Sequence, residues 1–120
     1  MKKINIIITA MAFCVLSSCT HEPDLSGIPD ISFANDIQPI LGGNCTSSGC
    51  HANDNQSEFS LVGYDDVMNN ADVKVGDAKD SELYEVLFAT GERKMPPNGD
   101  LTDLQKKKIF IWIEQGAKNN

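Results

Sequence analysis

The sequence predicts a small, mostly α-helical domain of three to five helices joined by long irregular loops. Three observations predict this class. The chain has 120 residues, which is enough for one domain at most. Apolar residues recur at helical spacing beside start and stop signals, and no stretch shows the strict alternation of a half-buried strand. Two connections, residues 52–63 and 91–101, are long for so short a chain.

The N-terminus has the pattern of an export signal that is removed. Lys2 and Lys3 carry its positive charge, and the apolar run over residues 4–16 is shorter than the roughly 20 residues that a membrane-spanning helix needs. The tetrad Leu16-Ser17-Ser18-Cys19 resembles the bacterial lipobox, in which the cysteine is lipid-modified and becomes the first residue. An ordinary signal-peptidase site, with Cys19 as a plain thiol, is the alternative.

The lipobox interpretation divides the chain into a signal peptide over residues 1–18, a lipid-anchored tether over 19–31 and a folded domain over 32–118. Cleavage removes two lysines and changes the formal net charge from −7 to −9. We expect an exported protein that acyl chains on Cys19 anchor to the bacterial envelope, facing the periplasm. Nucleic acid is not an expected partner, because phosphate binding depends on clustered Lys and Arg.

Two short helices are predicted in the first half of the domain. Ser32 caps a helix over residues 33–41, in which Pro39 marks a kink or a start. The pair Gly42-Gly43 is expected to end this helix. A second short helix is predicted over residues 64–70.

Two further helices are predicted in the second half. The first begins at Asp80 or Ser81 and runs to Thr90, with apolar residues on one face. The last has the clearest signals, because the motif Thr102-x-x-Gln105 forms a capping box and Gly116 follows its end.

The segment that carries chemistry is Cys45-Thr46-Ser47-Ser48-Gly49-Cys50-His51. The usual attachment site for c-type haem is C-x-x-C-H, in which two thiols form thioethers and the adjoining histidine ligates iron. Here the spacing is C-x4-C-H, which keeps Cys50 beside His51. The two extra residues have to bulge outward, and Gly49 makes such a bulge sterically accessible.

Three other interpretations of the segment stay open at this point. A disulfide between Cys45 and Cys50 suits an oxidising compartment. A zinc site would need a carboxylate as its fourth ligand, since the only other histidine is His21, in the tether. A catalytic pair of Cys and His needs a base positioned in space, which adjacency in sequence does not supply.

A second element is the loop Lys94-Met95-Pro96-Pro97-Asn98-Gly99. A thioether sulfur opposite a histidine is a standard axial pair of haem iron in cytochromes c. The two prolines restrict the backbone, so the loop can hold Met95 in place. Met68 is the only other methionine after the signal peptide, and its position beside Val67 favours a packing role.

Taken in order, these motifs resemble the planctomycete-type cytochrome c domain, a class I c-type haem fold common in exported and lipoprotein forms. The resemblance covers Phe33 to about Ala117 and departs from the commoner pattern at the x4 spacing. The motifs that carry it are Asp36-Ile37-Gln38-Pro39-Ile40-Leu41, Cys50-His51, Leu61 to Met68, Gly76-Asp77, Ser81-x-Leu83, Met95-Pro96-Pro97 and Trp112-Ile113-x-x-Gly116-Ala117.

The resemblance implies a small class I cytochrome c-like fold around one covalent haem c. It implies thioethers at Cys45 and Cys50, proximal iron ligation by His51 and distal ligation by Met95. It also implies that the terminal helices cross, with Phe33 or Ile37 near Ile109 or Trp112. The residues expected to pack around the haem are Ile37, Leu41, Leu61, Leu83, Leu87 and Trp112.

The function expected from this resemblance is one-electron transfer with redox protein partners. With both axial positions of the iron filled, we expect an electron carrier and not an enzyme, either free-standing or as an accessory domain of a separate oxidoreductase. Two alternatives remain. One is a haem-based ligand-binding or sensing module in which Met95 dissociates. The other is a haem-free structural lipoprotein with a disulfide between Cys45 and Cys50.

Overall fold

Four α-helices, one π-helical turn and one 3-10 turn form the domain in a computed structural model, which describes residues 23–47 and 49–120. This described part is mostly helical and contains no strand, as the sequence predicts. It also contains no helix long and apolar enough to cross a membrane. The predicted signal peptide, the lipidation at Cys19 and the tether residue His21 lie outside the described residues.

The first helical segment is a π-helical turn, Phe33–Ile37, that leads directly into α1, Gln38–Asn44. Ser32 caps it as predicted, because its side chain accepts a hydrogen bond from the Asn35 amide. The predicted end at Gly42-Gly43 is wrong, since α1 runs on to Asn44. Glycine in a helix costs only about 1 kcal/mol relative to alanine, and the Cys45 amide still donates to the Leu41 carbonyl at 2.7 Å.

The middle helices are α2, Tyr64–Asn70, at the predicted position, and α3, Glu82–Glu85. The prediction that α3 reaches Thr90 is wrong. The Val86 carbonyl, which a longer helix would use for its own ladder, accepts a hydrogen bond from the Met95 amide at 2.9 Å. After Glu85 the chain continues in tighter turns, in which the Leu87 amide donates to the Tyr84 carbonyl and the Phe88 amide donates to the Glu85 carbonyl.

The last helix, α4, comprises Asp103–Glu114 and confirms its predicted signals. The Thr102 hydroxyl accepts from the Gln105 amide at 3.3 Å, and the Gln105 side chain accepts from the Thr102 amide at 2.9 Å. Gly116 follows with a φ of +103°, a left-handed conformation that glycine adopts without strain.

The packed centre of the domain lies where α4 crosses the π-helical turn. Trp112 is fully buried, with its ring centroid 5.6 Å from that of Phe33 and 6.4 Å from that of Tyr64. Both polar tips are satisfied, because the Trp112 indole donates to the Lys118 carbonyl and the Tyr64 hydroxyl donates to the Ala117 carbonyl. The expected contact between Phe33 and Trp112 is thereby confirmed.

The two ends of the described chain are fastened to this centre. Gln115 accepts from the Ile31 amide at 2.8 Å and donates to the Pro29 carbonyl at 3.1 Å. Asn120 accepts from the Ser32 hydroxyl and from the Phe33 amide. The last three residues of the predicted tether and the C-terminal residue are thus held against the domain.

Candidate cofactor site

Two cavities share several lining residues, and Trp112 lines neither of them. The outer one has a volume of about 570 Å³, and the inner one about 170 Å³. Cys45, His51, Glu58 and Met95 line both, and Cys50 lines the outer one. The outer cavity alone falls within the range of roughly 300–1,000 Å³ typical of ligand sites. The structure therefore brings together the four residues that the sequence singles out for a cofactor.

The inner cavity is lined mainly by apolar side chains. They include Leu41, Leu61, Leu83, Leu87, Leu101 and Ile109. Four of the six residues expected to pack around a haem are among them, whereas Ile37 and Trp112 lie in the core away from both cavities. Met68 packs against the core and lines neither cavity. An apolar recess behind a more polar mouth suits a flat, largely apolar group with polar substituents.

The Cys45 to His51 loop closes on itself despite the longer spacing. The His51 amide donates to the Cys45 carbonyl at 3.1 Å, and the Cys50 amide donates to the Ser47 carbonyl at 2.9 Å. Gly49 has a φ of +76°, a region that favours glycine, so the predicted turn-forming role of this residue is confirmed. Both sides of the insertion are thus held without separating Cys45 from His51.

The two cysteines are free thiols in different surroundings. Cys45 is half-buried and Cys50 is exposed. Burial, with a smaller contribution from the neighbouring Cys50, raises the pKa of the Cys45 thiol to about 11. Cys45 is therefore protonated at neutral pH, which disfavours a role as a catalytic thiolate.

His51 is held by its backbone and by ring stacking. Its carbonyl accepts from the Leu61 amide at 2.9 Å, and its ring stacks on Phe59 at a centroid distance of 4.3 Å. The Nδ1 atom is buried and has no hydrogen-bond partner in the described part of the chain. Since Nδ1 faces away from open space, Nε2 is the ring nitrogen that a group in the cavity can reach.

Met95 is positioned by its own backbone and by the turn that precedes it. Its amide donates to the Val86 carbonyl at 2.9 Å, next to α3. In the 3-10 turn Gly91–Arg93, the Arg93 guanidinium donates to Glu82 at 2.9 and 3.0 Å and to Glu85 at 3.4 Å. These bonds attach the Met95 loop to α3, and the α3 residues Glu82 and Leu83 line the inner cavity.

Sequence reasoning missed two residues that shape the site. Phe59 is a lone aromatic after a polar stretch, and that isolation is the only signal for its stacking on His51. Asp54 accepts from the Gln56 amide, the Ser57 hydroxyl and the Gly49 amide, so it organises the loop after the cysteines. An aspartate two residues before its amide donor is a recognisable turn pattern.

The described residues contain no metal site that is built from a cluster of protein side chains. Within residues 23–47 and 49–120, no group of three or more His, Cys, Asp or Glu side chains is placed to hold a metal ion. A haem iron takes four of its ligands from the porphyrin and needs only one or two from the chain, so a haem does not require such a cluster. Comparisons with protein-family models, curated proteins and solved structures found no match to this chain.

Proposed function

We propose that the protein is a membrane-anchored monohaem c-type cytochrome that transfers single electrons between redox proteins. One observation carries the proposal. Met95, which is 44 residues beyond His51 in sequence, lines the same two cavities as Cys45 and His51, whereas Met68 lines neither. A pairing of His and Met ligands around an apolar recess is the arrangement that a low-spin electron-transfer haem uses.

The roles of the four residues follow from their chemistry. The thiols of Cys45 and Cys50 would hold the haem through thioethers, and His51 Nε2 and Met95 Sδ would be its axial iron ligands. When bound, the haem supplies a reversible one-electron change between ferric and ferrous iron.

The remaining residues of the site exclude water and hold the ligands in position. The leucines of the inner cavity provide a low-dielectric wall, and Phe59 restricts rotation of the His51 ring. The Val86 carbonyl and Arg93 hold the Met95 loop against α3. If His51 and Met95 both bound the iron, no position would be left for a substrate, which would favour a carrier over an enzyme.

The proposed membrane location depends on the lipobox at Cys19, since the described residues carry no spanning helix. Several acyl chains on one residue anchor a protein stably, because each buried methylene contributes about 0.8 kcal/mol. The protein would then sit on the periplasmic face of the bacterial envelope, as a free-standing carrier or as an accessory domain of an oxidoreductase.

The proposal is tested by replacing each methionine in protein made with a c-type haem maturation system. Met95→Ala should abolish the near-infrared charge-transfer band of ferric haem. It should also lower the reduction potential by about 0.1 V or more, within the roughly 0.8 V range that axial ligands set. Met68→Ala is the matched control and should leave both unchanged. Loss of the band in Met68→Ala alone would transfer the ligand role to Met68.

The same preparation separates the carrier from the ligand-binding alternative. A carrier with a firmly bound Met95 keeps its ferrous spectrum when carbon monoxide is added at neutral pH. A ferrous spectrum that shifts under carbon monoxide would instead identify a haem-based binding or sensing module in which Met95 dissociates. Met95→Ala serves as the positive control, since it opens the distal position.

A further inference from the structure

A separate groove lies on the outer face of α3 and the start of α4. It has a volume of about 370 Å³, and none of its lining residues lines either cavity of the cofactor site. Its apolar wall is formed by Tyr84, Phe88 and Phe110. Leu83 and Leu87 of the same chain segment line the inner cavity, so this short segment separates the groove from the cofactor site.

The aromatic wall of the groove is preorganised and open to solvent. The Tyr84 ring lies 5.0 Å from that of Phe88 and 5.4 Å from that of Phe110. Phe88 is 56% exposed, an unusual setting for a large apolar ring. The Lys106 ammonium lies 4.8 Å from the centre of the Phe88 ring, so a positive charge covers part of this apolar surface.

The groove also gathers the lysines of the described residues that form no ion pair. Of the eight Lys and Arg residues in the described part of the chain, five form ion pairs with carboxylates. These five are Lys74, Arg93, Lys94, Lys108 and Lys118. The three that form none, Lys79, Lys106 and Lys107, all line this groove, beside a single carboxylate, Asp103. Such clustering is opposite in sign to the rest of this acidic protein.

We propose that this groove docks an acidic segment of a protein partner. The carboxylates of the segment meet Lys79, Lys106 and Lys107, and an apolar or aromatic side chain enters between Phe88 and Phe110. The remaining acidic surface repels such a partner everywhere else, so the groove fixes its orientation as well as its affinity. Docking there places the partner across α3 from the cavities, away from the mouth that Cys50 lines.

A protein segment fits the groove better than a lipid surface does. The groove is concave, whereas insertion into a bilayer needs side chains that protrude from a convex face. The ring of Phe88 packs against Tyr84, with the Lys106 ammonium near its centre, so it forms part of the wall of the groove. The net charge of the protein is also negative, which opposes approach to anionic lipid.

The test uses a fluorescent acidic peptide of about twelve residues with one aromatic side chain, added to the full chain made with haem maturation. Binding is followed by fluorescence anisotropy and mapped by amide NMR shifts, which should change around Tyr84 and Phe88. Lys79→Glu with Lys107→Glu should weaken binding about tenfold at low salt. Lys74→Glu with Lys118→Glu changes the net charge equally outside the groove and should weaken it far less.

Phe88→Ala, at a position that is more than half exposed, should weaken binding while leaving its salt dependence unchanged. Equal weakening by the two double variants, or shifts spread over the whole surface, would overturn the proposal. Binding to phosphatidylglycerol vesicles without binding of the peptide would also overturn it, in favour of a lipid surface. These readouts do not use the haem and rest on the groove alone. The proposed docking can therefore fail while the proposed cytochrome function stands, and the cytochrome function can fail while the docking stands.

Discussion

The side of the domain around Trp112 and the side around His51 are built in different ways. Around Trp112, aromatic rings pack edge to face, and the indole and Tyr64 hydroxyl find carbonyl partners. Around His51, two cavities remain and a ring nitrogen is buried without a partner among the described residues. The side around Trp112 is closely packed and its polar groups are hydrogen-bonded. The side around His51 has cavities and a buried nitrogen without a partner among the described residues.

This difference indicates where the chain depends on something besides its own side chains. Protein interiors are normally close-packed, and buried polar atoms normally have partners. Both departures occur at the same place, beside the cysteines and Met95. In the proposed function a haem would fill the recess and bind His51 through Nε2, so the cofactor would account for the cavities and not for the unpartnered Nδ1.

The largest expected effect follows from preventing haem attachment. Cys45→Ser with Cys50→Ser should yield a haem-free protein without a sharp thermal transition, because the walls of the inner cavity lose the group that they pack against. Hydrogen exchange should show lost protection over residues 49–61 and 91–101, with partial protection retained in α4. Haem-loaded wild type is the reference. A sharp, cooperative transition in the haem-free variant would show that the cavity side is also self-sufficient.

The next effect concerns the self-packed side. Phe33→Ala should lower the free energy of unfolding by about 3–5 kcal/mol, the cost typical of removing a buried aromatic ring. Phe88→Ala removes an aromatic ring of the same size from an exposed position and should cost less than about 1 kcal/mol. Urea unfolding of the two haem-loaded variants measures the difference. Similar costs would mean that the cluster around Trp112 does not dominate the stability of the domain.

The smallest effect concerns an ion pair on the self-packed side. Asp36 lies 2.6 Å from the Lys108 ammonium, and this hydrogen bond, with one from the Ser32 amide, lowers the pKa of the Asp36 carboxyl. A lowered pKa in the folded state stabilises the protein above the usual aspartate pKa of about 3.9, and that stability is lost as the pH falls through the folded value.

Asp36→Asn should therefore lower stability by about 0.5–1 kcal/mol at neutral pH and by less at a pH below the lowered folded pKa, where the wild-type carboxyl is itself protonated. The measurement is the urea midpoint at both pH values. Asp30→Asn is the control, because the pair of Asp30 with Lys118 is more exposed and should contribute less. A loss that is the same at both pH values would contradict the role of the carboxylate charge.

The sequence predicted features that depend on neighbouring residues better than features that depend on distant ones. The capping box of α4 and the turn at Gly49 are local, and both are confirmed. The hydrogen bond from the Met95 amide to the Val86 carbonyl, just after the early end of α3, joins residues nine apart, and no local signal indicates it. The stacking of Phe59 on His51 is likewise set by how the loop folds back.

The candidate site shows the same contrast between local features, which the sequence predicts, and features that depend on distant residues, which it does not. Cys45, Cys50, His51 and Met95 were selected by residue type and spacing, and the structure brings them to one cavity. The division between an inner apolar recess and an outer mouth was not predictable, since Leu83, Leu101 and Ile109 reach it from separate elements. The groove of free lysines was missed too, because ion pairing of the other cations is a property of the folded surface.

The mass of the proteolytic fragment that carries Cys45 and Cys50, from protein made with a c-type haem maturation system, tests the haem proposal most directly. We predict a fragment heavier by one haem, with a pyridine haemochrome band at the position for two thioethers. A band at the position for a single thioether would assign attachment to one cysteine. It would also show that the x4 spacing prevents the second thioether. A fragment with the mass of the unmodified peptide, or of the peptide with a disulfide, would contradict the cytochrome.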